Sequence, residues 1–144
     1  FPLLYSFFFF FLEVFIFLTI QDIQRKTVSE PEPDFTRPYG KFYLKDLFRV
    51  TANKPVMTIP TSKFTFVLDN NYWFDPDKEV SVGEFMDHHI QVNEADLQFP
   101  IIVLTDNNDV LAGVHRLVKA FANNIKTIKV RYITKQELMT INLK

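Results

Sequence analysis

The chain has 144 residues, with 16 basic side chains against 17 acidic ones and no cysteine. That length suits one domain with a short extra segment, and the lack of cysteine excludes disulfide frameworks, thiolate metal sites and thiol nucleophiles. A hydrophobic share of 47% and a net charge of −1 argue against wholesale disorder and against nucleic-acid binding driven by bulk charge.

Eight of the 17 phenylalanines fall within the first 17 positions, so the average conceals two unlike pieces. Residues 1–20 carry one acid, Glu13, no base, and the aromatic run Phe7 to Phe11. Roughly 20 apolar residues match one helical crossing of a bilayer. Arg25 and Lys26 follow, which would favour a cytoplasmic C-terminal side. A secretory leader fits less well, because the basic n-region and the small residues of a cleavage site are missing. Two readings of 1–20 stand: a membrane anchor for a cytoplasmic domain, or upstream sequence before a domain that starts at Met57.

Residues 21–56 read as a connector. Ser29-Glu30-Pro31-Glu32-Pro33-Asp34 is acidic and broken by prolines, which favours extended, solvated chain. Within this stretch, Tyr39 to Leu44 suits a short strand or turn. From Met57 to Lys144 the pattern is regular and reads as a complete small domain. Lys63–Leu68 is aromatic and β-branched, the composition of a strand. Ser81 followed by Glu84 is a capping box and opens a helix with Val82, Phe85, Met86 and His89 or Ile90 on one face. Pro100–Leu104 suits a buried strand, Asp106–Asp109 a turn, and Val110-Leu111 a second strand ending at Gly113. Val114, Leu117, Val118 and Phe121 recur at helical spacing and are expected to pack on the sheet. Ile128, Val130 and Tyr132 alternate with Lys129 and Arg131 as a strand does. Thr134 and Glu137 form a second capping box before a short last helix.

Charge is divided too. Met57–Asp109 holds 2 bases and 10 acids, whereas Val110–Lys144 holds 7 bases and 1 acid. The basic third contains the most informative motif, Val110-Leu111-Ala112-Gly113-Val114-His115-Arg116-Leu117-Val118-Lys119-Ala120. Glycine sits where strand becomes helix and tolerates both a sharp turn and a close ligand. The first helical turn presents free N–H groups and a partial positive charge. His115 and Arg116 lie in that turn, so an anion there would accept backbone N–H groups and an Arg116 fork. The plain alternative leaves Arg116 in solvent and His115 on the surface.

Among other candidates, Asp87, His88 and His89 end the first helix of the domain, but adjacent histidines project about 100° apart and chelate one metal poorly. His115 would have to join them by tertiary approach, and no metal site is expected. Glu94 and Asp96 are free acids near the motif and are nominated as a general base or magnesium ligand. Trp73 reads as a core anchor before a stacking platform.

Pro100-Ile101-Ile102-Val103, a turn, and then Val-Leu-x-Gly-x-His-Arg-Leu-x-Lys-Ala resemble the ParB/sulfiredoxin-like superfamily, and most nearly the small ParB-like domain proteins of bacteria and phages. Asp96 to Pro100 before the motif and Thr127 to Val130 after it also fit, and the resemblance covers about residues 73–133. It implies a small α/β (α+β) domain with a mixed sheet and packed helices. It also implies nucleotide or phosphate binding by Gly113, His115 and Arg116, to which Lys119 is added as a further cation, with a nucleoside triphosphate and magnesium as the expected ligands. The departures narrow the activity. Sulfiredoxins have a nucleophilic cysteine where this chain has Val114, so peroxiredoxin reduction is excluded. ParB proper has Gly-Glu-Arg-Arg where this chain has Gly113-Val114-His115-Arg116. Serine-kinase members carry Asp where this chain has Ala112. A binding module is therefore expected first. An ATP-using phosphotransferase or nuclease of the same fold, and a degenerate domain binding a protein or DNA partner, are the alternatives.

Overall fold

Strand β4, Ile101–Leu104, is apolar at every position because both of its faces are covered. The computed structural model describes residues 32–144, and β4 lies near the middle of its larger sheet. That sheet has the order β3-β6-β4-β5, with β3 at Met57–Pro60, β5 at Val110–Ala112 and β6 at Thr127–Ile133. β6 runs antiparallel to β3 and parallel to β4, while β4 and β5 form an antiparallel hairpin. The sheet is therefore mixed and the domain α/β, as the sequence implies.

Each face of the sheet has its own apolar layer. On one face Ile101, Val103, Ile128 and Val130 meet Leu117 and Ala120 of the helix Val114–Ala122. On the other face Ile102, Leu104 and Ile133 meet Phe42, Leu47 and Leu138. The alternation of Ile101 to Leu104 between the two layers follows from the period-two geometry of a strand. Of the helical positions expected to pack, Leu117 is fully buried, whereas Val118 and Phe121 are only half-buried.

Phe42 and Leu47 correct the reading of 21–56 as connector. Within that range, β1 (Phe35–Arg37) pairs antiparallel with β2 (Gly40–Phe42), and helix α1 (Leu44–Thr51) follows. Phe42 and Leu47 are both 0% exposed, so this segment supplies much of the second layer. It is fastened at both ends. Lys54 Nζ lies 2.6 Å from Glu137 Oε1, and Arg37 Nε donates to Asp109 Oδ2 at 2.7 Å. Strand β2 lies within the Tyr39–Leu44 stretch that suits a short strand or turn, while the proline-marked, acidic approach hides β1 and the helix. Residues 1–20, with the proposed anchor, and residues 21–31 of the connector lie outside the described residues. Among the described residues no helix is long and apolar enough to cross a membrane.

Lys63–Leu68 is also not a strand. It belongs to a 3₁₀ segment, Thr61–Asp69, whose buried residues are Thr61, Phe64 and Val67. The segment is two short 3₁₀ pieces joined at a kink at Phe64 (φ −115°, ψ 16°), as 3₁₀ runs longer than a few residues are uncommon. The strand lies one step earlier, at β3, where Pro60 is tolerated because the strand is at the sheet edge.

Both capping boxes are formed. Ser81 accepts from Glu84 N and Glu84 reaches back to Ser81 N, opening α2 (Val82–Glu94). Thr134 and Glu137 do the same for α4 (Lys135–Met139), the helix between them being α3 (Val114–Ala122). The Glu137 carboxyl is held down to about 2, first by Lys54 and then by the Thr134 backbone N–H.

The fragment Met57–Lys144 lacks Phe42 and Leu47, so it should not fold on its own. Emptying two fully buried sites of this size costs about 2–5 kcal/mol each, comparable with the stability of a whole small domain. Thermal unfolding followed by circular dichroism should be cooperative for the full chain and broad or absent for the fragment.

Candidate functional site

The turn from β5 into α3 has a specific cause. Gly113, the residue before the helix, has φ +94°, and a Cβ added there would meet Ile101 Cγ2 at 2.6 Å. Both the left-handed backbone and the close approach of β4 therefore require glycine. The close neighbour is Ile101 and not a ligand, so substituting Gly113 would damage the fold before it reported on binding. Because Gly113 supplies no side-chain cap, the N–H groups of the first helical turn open outward.

The start of α3 borders a cavity of about 520 Å³. Gly113, Val114, His115 and Arg116 line one side of it, and Tyr72, Trp73, Glu94 and Asp96 are among the residues on the others. Three of the four nominated phosphate-binding residues thus share one cavity with both nominated acids. Lys119 is the exception. Its Nζ donates to the carbonyls of Asn93 at 2.7 Å and Ala95 at 2.6 Å, which caps the C-terminal end of α2. A cation is favourable there, where the helix presents unpaired carbonyls and partial negative charge. Lys119 therefore belongs to the α2–α3 contact and not to the cavity.

Arg116 is half committed. Nη1 donates to Pro100 O at 3.0 Å, and the guanidinium lies over the Phe99 ring at 5.8 Å from its centroid. Burial pushes its pKa down, with the Asp96 charge opposing that shift. Among the described residues it is the only Lys or Arg that lines the cavity, against the three carboxylates Asp34, Glu94 and Asp96.

His115 is neither on the surface nor alone. His88 Nδ1 and His115 Nε2 are 2.8 Å apart. One ring donates and the other accepts, so the bond requires at least one neutral imidazole. Trp73 stacks on both rings, at 4.6 Å and 7° from His88 and at 4.8 Å and 11° from His115. Burial, and then the charge of His88, lowers the His115 pKa. The tertiary approach that adjacency of His88 and His89 could not supply has occurred, with His88 as the partner. His89 instead lies 3.1 Å from Asn93 Nδ2 and is exposed. Among the described residues no group of three or more His, Asp or Glu side chains is arranged to hold a metal ion. Trp73 is thus neither a plain core anchor nor a free platform, since one of its faces is taken by the histidine pair.

The anchoring role of Asp109 has no local signal in the sequence. The Asp106–Asp109 segment does turn between β4 and β5, with Asn108 at φ +58°. Yet Asp109 also takes Arg37 Nε, Tyr39 OH at 3.2 Å and Tyr72 OH at 3.2 Å. Burial, followed by the Asp109 charge, raises both tyrosines to about 12. Tyr72 and Trp73 are held over the cavity through this carboxylate, whose partners lie 37 to 72 residues away in the chain. Spacings of that length leave no local pattern.

The lowered His115 pKa has a consequence for stability. Below an unfolded value of 6.5, the unfolded chain takes up a proton that the folded chain resists. This contribution to stability is complete above 6.5 and is lost as pH falls toward the lower folded value. Melting temperature should therefore drop on the acid side, and His115→Asn should flatten that limb. Trp73, the single tryptophan, reports the same event through quenching of its emission by a stacked imidazolium.

Comparison of the chain with protein-family models, curated proteins and solved structures finds no match.

Proposed function

We propose that the domain is a nucleotide-binding module of the ParB/sulfiredoxin-like type, with the phosphates at the Gly113-to-helix turn. The observation that carries this reading is the cavity at the α3 N-terminus, lined by Gly113, Val114, His115 and Arg116. Backbone N–H groups at a helix start bind phosphate oxygens without a dedicated side chain, and Arg116 keeps donors free for a charge-assisted contact. A volume of about 520 Å³ is in the range of small-molecule sites.

Charge defines the form of the ligand. A bare triphosphate would face one guanidinium and three carboxylates, a repulsive balance. A magnesium complex reverses it, because Glu94 and Asp96 would then meet the cation while the helix start meets the phosphate oxygens. Magnesium is commonly held in this way, by one or two carboxylates together with substrate phosphates. The Ala112 position lacks the acid found in kinase-like relatives, which favours binding over turnover.

The test is a thermal-shift panel of nucleotides with and without magnesium, with turnover of each nucleotide followed alongside. A ligand at 100 times its dissociation constant adds about 2.7 kcal/mol. Binding should require magnesium, and Arg116→Ala should weaken it by about 1.5–3 kcal/mol. Arg116→Lys should restore only part, since an ammonium cannot fork. The same Arg116→Ala change removes the Pro100 contact and should lower intrinsic stability by about 0.5–1.5 kcal/mol. Unchanged affinity in Arg116→Ala would reduce the motif to a strand-to-helix turn.

A further inference from the structure

Helix α2 has 13 residues and none is buried. It touches α3 through one side only, where His88 pairs with His115 and Lys119 caps its end. Its apolar residues lie elsewhere. Val82 is 78% exposed, Phe85 63%, Met86 55% and Ile90 45%. They recur at i, i+3, i+4 and i+8, which places them along one stripe of the helix. Amphipathic helices ordinarily bury such a stripe, and the capping box that starts this helix shows that its register is fixed. A contiguous exposed apolar stripe is the mark of an interaction surface.

The surrounding charge identifies what fits it. From Asp69 to Asp96 the chain carries eight carboxylates and one lysine, and that lysine, Lys78, is paired with Asp75 at 3.3 Å. Asp87 and Glu94 are exposed and lie within about 60° of Ile90 around the helix. Glu79 stands just ahead of the N-terminus. A second copy docked face to face across a two-fold axis would bring two such acidic flanks together. Anionic lipid and nucleic acid are repelled for the same reason. An apolar stripe beside an acidic flank is complementary to an amphipathic helix with basic flanks.

We infer that the exposed face of α2 is a docking surface for a basic amphipathic helix of a partner protein, anchored by Val82, Phe85, Met86 and Ile90 and oriented by Asp87 and Glu94. This inference does not rest on the phosphate reading: its four anchor residues are not among those lining the cavity, and Glu94 alone is shared with it.

The experiment uses the full chain and two synthetic helical peptides of equal length, one of leucine and lysine and one of leucine and glutamate. Binding is read by fluorescence anisotropy of the labelled peptide. The leucine–lysine peptide should bind, and the leucine–glutamate peptide should not. Phe85→Ser combined with Met86→Ser should weaken binding at least about tenfold with little change in melting temperature, because both side chains are exposed. Asp87→Asn with Glu94→Gln should weaken it and blunt its salt dependence. The inference is overturned if the leucine–lysine peptide fails to bind, if the serine variant binds it as tightly as the parent, or if both peptides bind alike. It is also overturned if sedimentation shows self-association that the serine variant abolishes, since the face would then be occupied by a second copy.

Discussion

The turn at Gly113 is the constraint on which the rest of the site depends. A left-handed residue with Ile101 pressed against its Cα lets β5 end and α3 begin without an intervening loop. That directness fixes the rotation of α3. Leu117 and Ala120 then face the sheet, His115 faces His88, and Arg116 reaches Pro100 O. A side chain at position 113 would push α3 away from β4 and disturb all three contacts together. The same turn leaves the helix start without a side-chain cap, so the first N–H groups of α3 have no intrahelical partner.

Three long-range ties hold the walls of that cavity. Asp109 gathers Arg37, Tyr39 and Tyr72, Lys119 caps α2, and the histidine pair joins α2 to α3 beneath Trp73. Each uses a polar group that single-sequence reasoning would leave in solvent. The acidic α2 region and the basic C-terminal third meet here, and the near-neutral total charge of the chain conceals these two opposed stretches.

What was legible in the sequence follows from which forces are local. Capping boxes, the buried run at Ile101–Leu104, the alternation in β6 and the helical period of α3 all depend on neighbours within a few residues, and all are present. The 3₁₀ segment is obscured because two short turns joined at a kink at Phe64 carry no sustained period within a strand-like composition. Strand β2 falls within the Tyr39–Leu44 stretch that reads as a short strand or turn; β1 and the helix of 44–51 are obscured because the prolines ahead of them signal extended chain, while Phe42 and Leu47 find their partners more than fifty residues later. Gly113, His115 and Arg116 were legible as a group because they are adjacent. Lys119 is near them in sequence only, and helix geometry carries it to the far end of α2.

The central claim is that the first turn of α3 receives phosphate. The most direct measurement is the set of backbone amide chemical shifts of the full chain during titration with magnesium nucleotide. The account predicts saturable shifts at Val114, His115 and Arg116, accompanied by a change in the Trp73 indole signal. Shifts absent from these amides, and concentrated instead on exposed lysines such as Lys126 and Lys129, would contradict it.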